Sequence, residues 1–297
     1  ATMLNSRIRK SYLKSKLPIY STNDIGDQTY PYEILDNSTN LIKDIVEKRN
    51  ELSEKIIQSS KPIVIIGQSV LKLKSGHYIF EELKNFLNIN NKINNEWNSF
   101  NVLSNNASTV GSYDLGIFSS NNGRNILLEK LKENSIDLLF LFGQDKLKIE
   151  KKDIFVVYIG SHGEYGAKNA DLILPGSAYT EQDGYYTNLE GKIQKAYKAS
   201  YPTELAKEDW LIINEISNLI RNKYLFKDKD DLIDGMFNYL NHERKEEFIK
   251  TDYNFFNEKI LIEEIDYYFS NVIAKSSKTM SECRSLRSKY IKTGTDG

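Results

Sequence analysis

The sequence has 297 residues, of which 40 are Lys or Arg and 41 are Asp or Glu, so its formal net charge is −1. This balance gives no reason to expect a nucleic-acid partner or a strongly acidic substrate, and the length suffices for one large α/β domain or two ordinary ones. The apolar runs at 63–66, 138–142 and 154–159 are far shorter than the roughly 20 residues that span a bilayer. We therefore predict no transmembrane helix.

The supply of metal-binding side chains is small. The only cysteine is Cys283, whereas an iron–sulfur cluster usually takes four thiolates. The three histidines, His77, His162 and His242, are isolated and show no zinc-site spacing. We predict neither a cluster nor a metal site held by this chain alone.

The first 60 residues contain a basic start and one clear helix. Residues 1–23 carry five basic residues and no acid, a composition that also fits a mitochondrial transit peptide. The alternative, which we favour, is mature structure: a short helix or arm, a strand at 17–20 and a helix from about 40 to 57. Ser38-Thr39-Asn40 would cap that helix.

Strand and helix patterns alternate through the next hundred residues. A strand at 61–67 is followed by a helix at 77–87, with Ile79, Phe80, Leu83 and Phe86 on one face, then a strand at 101–104 and a helix at 125–134. The most hydrophobic stretch, 136–143, predicts a central strand, and 154–159 predicts the next. This alternation predicts a doubly wound, mostly parallel sheet. The charged turn between the last two strands, 144–152, is too short for a full crossover helix.

A glycine-punctuated loop and a hairpin follow the strand at 154–159. Gly160, Gly163 and Gly166 give the spacing G-x-x-G-x-x-G, which is not the G-x-G-x-x-G of a dinucleotide site, so we interpret them as a tight loop. A short strand at 172–174 comes next. Residues 185–187 and 193–197 then predict a β-hairpin with turns at Asp183-Gly184 and Glu190-Gly191.

The remaining chain is predicted to be helical. A helix from 204 to 222 would begin at the N-cap Thr203. Its predicted apolar stripe is Leu205, Trp210, Ile213, Ile216 and Ile220. Residues 222–297 are rich in charges of both signs and predict a helical, solvated C-terminal extension.

Separate blocks of sequence carry a family resemblance. Ala170-Asp171-Leu172-Ile173-Leu174-Pro175, followed by Glu181, Gly184, Asn188, Glu190-Gly191 and Gln194, resembles the signature of molybdopterin oxidoreductases. More narrowly, it is similar to the complex I branch of that family, in which the largest iron–sulfur subunit carries the signature. The segments 7–33, 208–213 (EDWLII) and 270–283 (SNVIAKSSKTMSEC) resemble the same branch.

The resemblance implies a fold of the formate dehydrogenase/DMSO reductase type. It divides the chain into an N-terminal segment, 1–60, a molybdopterin-oxidoreductase-like α/β domain, 61–221, and the helical extension, 222–297. Residues 1–60 would complete a domain begun in a partner chain or in a missing N-terminal half. An exposed sheet edge should therefore face a partner.

The function implied is structural. The chain would be a non-catalytic C-terminal part of the NADH dehydrogenase module of respiratory complex I, on the matrix side of the mitochondrial inner membrane. Iron–sulfur clusters and FMN are expected in partner chains, namely the cluster-bearing N-terminal part of the subunit, the flavoprotein and other matrix-arm subunits. No catalytic, cofactor-binding or metal residue is expected here. Gly184, Asn188 and Gly191 would be at most a vestigial pterin-side turn.

Three other functions compete with this one. The first alternative is a fragment of a molybdopterin-dependent oxidoreductase such as formate dehydrogenase or nitrate reductase, in which the 184–191 region lies near the pterin. The second alternative is a free-standing nucleotide-binding module, but the sequence lacks the glycine motif that binds phosphate in such modules. Ser161, His162 and Glu164 are neighbours in sequence, but a hydrolase is recognised by geometry, and we interpret that loop as structural.

Overall fold

The structure is a computed structural model that describes residues 1–117, 123–145, 153–243, 252–262 and 266–290. The chain forms two compact units. The described residues of unit 1 are 1–105 and 252–262, with Tyr290, and those of unit 2 are 106–117, 123–145, 153–243 and 266–289. Among the described residues, no helix has the length and apolar character needed to cross a membrane.

Unit 1 is a small α/β assembly. Its elements in chain order are α1 (Thr2–Ser15), β1 (Tyr20–Ser21), β2 (Glu33–Ile34), α2 (Thr39–Val46), α3 (Glu51–Gln58), β3 (Val64–Gly67), α4 (Gln68–Leu71), α5 (Gly76–Ile89) and β4 (Phe100–Leu103). β1 pairs with β2, and β3 with β4, both in parallel. The predicted strands at 61–67 and 101–104 and the helix at 77–87 are confirmed.

The region predicted as one helix from 40 to 57 is two helices, α2 and α3. The chain turns between them at Lys48, whose φ is 59°, a left-handed value that a continuous helix does not allow. Asn50 then starts α3, because its side chain accepts a hydrogen bond from the Leu52 N–H. The sequence-based prediction missed this internal cap.

An extended segment from the C-terminal third of the chain completes unit 1, and we call its described residues, 252–262, the strap. The carbonyl of Phe256 accepts hydrogen bonds from the hydroxyls of Thr39 (2.7 Å) and Ser75 (2.6 Å). The Glu258 carboxylate accepts from the Ser75 N–H at 2.9 Å, next to the start of α5. Ile260 is buried in the same core cluster as Ile42 and Ile79 of the preceding helices. The prediction that residues 222–297 form a helical, solvated extension is therefore wrong for the strap.

Unit 2 contains a parallel sheet, a hairpin and several helices. Its elements in chain order are α6 (Thr109–Asp114), α7 (Gly123–Lys132), β5 (Leu138–Phe142), β6 (Phe155–Gly160), α8 (Tyr165–Lys168), β7 (Leu172–Pro175), β8 (Gly184–Thr187), β9 (Ile193–Ala196), α9 (Asp209–Arg221), α10 (Lys229–Asn238), α11 (Val272–Ser276) and α12 (Lys278–Tyr290). A π-helical turn, Tyr239–Glu243, and a 3₁₀ turn, Tyr267–Phe269, complete the set. The charged segments 146–152 and 244–247, which were predicted to lie in a turn and in the helical extension, are outside the described residues.

The sheet of unit 2 has the order β5-β6-β7, with both pairs parallel. Its middle strand is buried, and one face packs on α7 through Leu131 and Leu141. β8 and β9 form the antiparallel hairpin. The predicted strands at 136–143, 154–159 and 172–174, the hairpin and the helix at 125–134 are confirmed. Within the described residues the fold is mixed α/β, with small parallel sheets and one antiparallel pair.

Helix α9 begins five residues later than predicted, and Thr203 is not its N-cap. Glu204 adopts a φ of 48°, so the chain cannot yet be helical there. The predicted stripe is wrong at Leu205, Ile213 and Ile220, which are exposed, whereas Ile216 packs against the cluster that contains the buried Ile212. The helix is oriented by polar contacts that a hydrophobic pattern does not encode.

Asn214 makes most of those contacts. Its Oδ1 accepts hydrogen bonds from the backbone N–H groups of Leu225 and Phe226, and its Nδ2 donates to the Phe226 carbonyl. Ser217 on the same face donates to the Lys223 carbonyl at 2.9 Å. Asn214 and Ser217 are both buried, so α9 turns its polar stripe, with Ile212, toward the interior.

Candidate functional site

The site region is the segment 170–194 in unit 2, which carries the family signature. Asp171 opens it beside the buried strand β6. Its Oδ2 accepts a hydrogen bond from the Val156 N–H at 2.8 Å, and its own N–H donates to the Val156 carbonyl at 2.8 Å. Asp171 therefore fixes the start of β7 against β6.

Pro175 and Gly176 end β7 against the first turn of α9. A Cβ atom on Gly176 would lie 2.7 Å from Oδ1 of Asp209 and 3.3 Å from the backbone of Gly160. A side chain at this position would therefore require Asp209 or the facing backbone to shift. The glycine that follows the signature proline is explained by packing.

Asp209 and Ser177 hold unsatisfied atoms in this region. Among the described residues, the Ser177 hydroxyl and Oδ1 of Asp209 are buried without a hydrogen-bond partner. Burial raises the pKa of Asp209, and the neighbouring Glu208 raises it further, against the lowering effect of a hydrogen bond with Gln182. The sequence analysis missed Asp209, since nothing in a helix-start Asp signals burial.

The acidic residues of the following loop bind backbone N–H groups. Glu181 accepts from the Ala178 N–H at 2.9 Å, and Asp183 accepts from the Lys198 N–H at 2.8 Å. The bond from Lys198, helped by the charge of Lys229, lowers the pKa of Asp183. Both side chains shape the loop that leads into the hairpin.

The hairpin contains the three residues expected to be a vestigial pterin-side turn. Oδ1 of Asn188 accepts hydrogen bonds from the backbone N–H groups of Glu190 and Lys192, each at 2.9 Å. Gly191 has a φ of 78°, in the left-handed region that favours glycine. Gly184 is the first residue of β8 and pairs with Ala196. The structure brings these residues into one hairpin and accounts for Asn188 and Gly191 by its turn.

The side-chain oxygen of Asn188 is engaged by the turn itself. The side-chain oxygen of Asn188, the acceptor that could read a pterin N–H, already receives two backbone donors. Among the described residues, no group of three or more His, Cys, Asp or Glu side chains is placed to hold a metal ion.

Ser161, His162 and Glu164 do not assemble into a catalytic trio. His162 Nδ1 lies 3.0 Å from the hydroxyl of Ser161, but Glu164 forms an ion pair with Lys275 instead of orienting the histidine. The hydroxyl of the buried Tyr158 donates to the His162 carbonyl. These contacts fix the conformation of the loop.

Asp145 is the residue that organises the loop. Its Oδ1 accepts from the backbone N–H groups of Glu164 and Gly166, at 3.0 and 2.9 Å, and its Oδ2 lies 3.1 Å from the Tyr158 hydroxyl. Burial and the nearby Asp145 charge raise the pKa of Tyr158. Sequence reasoning missed Asp145, although an Asp just after a buried strand was the available signal.

Comparison with known proteins places the chain in a family. The family model for molybdopterin oxidoreductases matches residues 1–219, and the chain belongs to that family. Within it, the chain is homologous to the C-terminal part of the complex I 75 kDa subunit and of its bacterial counterparts. The sequence-based resemblance is thereby confirmed.

Three relatives illustrate the match. The chain is 36% identical over 300 residues to the "NADH-ubiquinone oxidoreductase 75 kDa subunit" of Reclinomonas americana, covering 96% of this chain and 43% of the relative. It is 34% identical to an NADH-quinone oxidoreductase subunit of Rickettsia bellii (99% and 44%). It is 33% identical to the "NADH-ubiquinone oxidoreductase 78 kDa subunit, mitochondrial" of Candida albicans (95% and 41%). The chain thus spans less than half the length of these relatives.

Proposed function

We propose that this chain is a non-catalytic structural part of the NADH dehydrogenase module of respiratory complex I. It is the C-terminal part of the largest iron–sulfur subunit and supports electron transfer from NADH to ubiquinone. Its place is the peripheral arm on the matrix side of the mitochondrial inner membrane. Its fold is the doubly wound formate dehydrogenase/DMSO reductase type, retained without molybdenum chemistry.

One observation carries this proposal: polar side chains of the signature are used to build the chain itself. Asp171 joins two strands, Glu181 holds a loop and Asn188 closes a turn. A cofactor site would direct such groups outward to a ligand. In a scaffold they bond to the chain's own backbone, as these three side chains do.

A rigid scaffold is what an electron-transfer arm requires of a chain without redox groups. Iron–sulfur clusters exchange electrons only when they are held at fixed separations. The clusters and FMN belong to partner chains: the cluster-bearing N-terminal part of the subunit, the flavoprotein and other matrix-arm subunits. This chain would contribute a packed α/β block beside them.

Affinity purification of the tagged chain from mitochondria of its source tests the proposal. Mass spectrometry would identify the companions, and elemental analysis would give iron and molybdenum per chain. We expect the cluster-bearing part, a flavoprotein and iron, with molybdenum far below one atom per chain. Stoichiometric molybdenum would instead establish the other candidate, a piece of a molybdenum oxidoreductase.

A further inference from the structure

One face of the unit 2 sheet carries large apolar side chains that are exposed to solvent. The parallel register pairs Leu138 with Phe155, and Phe140 with Val157, which in turn pairs with Leu172. Because alternate residues of a strand point to one face, a continuous apolar surface results. We define the open face as the surface formed by five side chains whose exposed fractions run from 37% to 51%: Leu138, Phe140, Phe142, Phe155 and Leu172.

The opposite face of β5 and β6 is covered. Leu141, Val156 and Tyr158 are buried there in one cluster with Leu131 of α7. On the open side, α9 covers only part of the sheet, where Ile212 packs on Val157 and Ile159. Among the described residues, the layer that covers one face is therefore incomplete on the other.

An uncovered parallel sheet face is unusual. Parallel sheets occur almost only with both faces covered, and their strands are apolar throughout for that reason. The open face has the strand composition of a covered one, including three phenylalanines, two of which, Phe140 and Phe142, stack with ring centroids 6.3 Å apart. Exposed apolar surfaces of this kind mark interaction sites.

We propose that the open face is the docking surface for the N-terminal part of the complex I subunit, through an amphipathic helix laid across β5 and β6. The proposal rests on the proposed function and adds the surface to it. The chain is homologous to the C-terminal part of relatives of which it covers 41–44%, so more than half of their length lies outside the match. That N-terminal part supplies the missing layer.

The chemistry of the occupant follows from the surface. The five side chains of the open face are all apolar and include no charge, so the helix must present an apolar stripe. Helices are the layer that packs on parallel sheets. Aromatic side chains held on a strand are the kind of anchor that dominates interface energies.

Two matched substitutions test the face. Phe140→Asp places a charge at the centre of the open face, whereas Ile173→Asp places one on the opposite face of the same sheet, at a position that is 53% exposed. Each tagged variant is purified with its companions, and the recovered N-terminal part is quantified. Thermal unfolding of each purified variant reports whether it folds. Phe140→Leu serves as the conservative variant.

We expect Phe140→Asp to weaken binding of the N-terminal part by about 30-fold, the size of a hot-spot loss. Ile173→Asp and Phe140→Leu should retain it. Equal recovery with Phe140→Asp and with the unmodified chain would overturn the assignment of the face while leaving the proposed function intact. Absence of the N-terminal part even from the unmodified chain would overturn the proposed function itself.

Two further outcomes would assign the face to another occupant. If the purified chain forms dimers that Phe140→Asp dissociates, a second copy covers the face. If Phe140→Asp alone lowers the melting temperature of the isolated chain, another segment of the same chain covers it. Hydroxyl-radical labelling gives an independent readout. We expect Phe142 and Phe155 to be oxidised in the isolated chain and protected in the assembly, with protection in neither state counting against the proposal.

Discussion

Asn188 illustrates at the scale of one residue how a family signature can be maintained by local structure. Its side-chain oxygen replaces a missing backbone acceptor in the hairpin turn, a role that Asn performs well. The same reasoning applies to Asp171 and Glu181, each of which accepts a backbone N–H. We expect substitutions at such residues to affect stability and assembly more than chemistry.

We predict that Asn188→Ala lowers the free energy of unfolding by about 1–2 kcal/mol, because two backbone N–H groups lose their acceptor. NADH oxidation per assembled complex should stay nearly unchanged. Urea unfolding and turnover measured on the purified assembly check the two parts. His162→Ala is the companion variant, for which turnover should also be unaffected. Selective loss of turnover with normal assembly would contradict the scaffold role.

Asp209 gives a pH-dependent prediction. Burial raises its pKa above the usual 3.8, so the folded state binds the proton more tightly than the unfolded state. The contribution of Asp209 to stability therefore falls as the pH rises from about 3.8 through the raised value. We expect Asp209→Asn to remove this loss, so that its stability relative to the unmodified chain increases over that range. Urea unfolding at a series of pH values measures it.

Asp183→Asn is the matched control with the opposite sign. The pKa of Asp183 is lowered by the hydrogen bond from Lys198, so its stabilising contribution is present above pH 3.8 and is lost as the pH falls through the lowered value. The variant should lose stability relative to the unmodified chain above that range. The same slope for both variants would show that the buried environment assigned to Asp209 is wrong.

At the scale of one element, β5 has two faces with different consequences for mutation. Leu141 is 4% exposed and packs with α7, whereas Leu138 on the open face is 51% exposed. We predict that Leu141→Asp lowers the free energy of unfolding by about 3 kcal/mol or more, since it buries an unpaired carboxylate. Leu138→Asp should cost less than about 1 kcal/mol. Chemical unfolding of both variants distinguishes them, and equal losses would refute the face assignment.

The strap provides a second prediction at this scale. The Glu258 carboxylate accepts the Ser75 N–H at the positive end of α5. Replacing Glu258 with Ala should lower the free energy of unfolding by about 0.5–2 kcal/mol, as for other helix caps. Asp252→Ala, an exposed position on the same strap, is the control and should change little. Hydrogen exchange at Ser75 and Ile79 would show whether the loss is local to α5.

The elements also show what sequence patterns can predict. The buried strands at 154–159 and 172–174 were found because continuous apolar runs ending at Gly or Pro have few other interpretations. The break at Lys48 and the late start of α9 were missed, because each depends on a left-handed residue with no glycine to signal it. The signature located the hairpin turn but not Asp145 or Asp209, whose environments arise only from distant contacts.

For the whole molecule, the coarse α/β class and the family were accessible from sequence, and the return of the strap to unit 1 was not. Local periodicity reports neighbours along the chain, whereas Glu258 and Ser75 are 183 residues apart. Assembly partners are a further step removed, since they depend on surfaces such as the open face. Local periodicity therefore indicates neither the contacts of the strap nor the exposure of the open face.

The position of Ile260 along the chain has a consequence for biosynthesis. The pocket formed by Ile42, Ile66, Ile79 and Leu83 is translated early, yet the side chain that fills it emerges from the ribosome almost 180 residues after Leu83. During that interval the nascent unit 1 exposes the apolar side chains that Ile260 later covers. Chaperones that shield such surface should therefore bind ribosome-attached intermediates halted before the strap and release those halted beyond it.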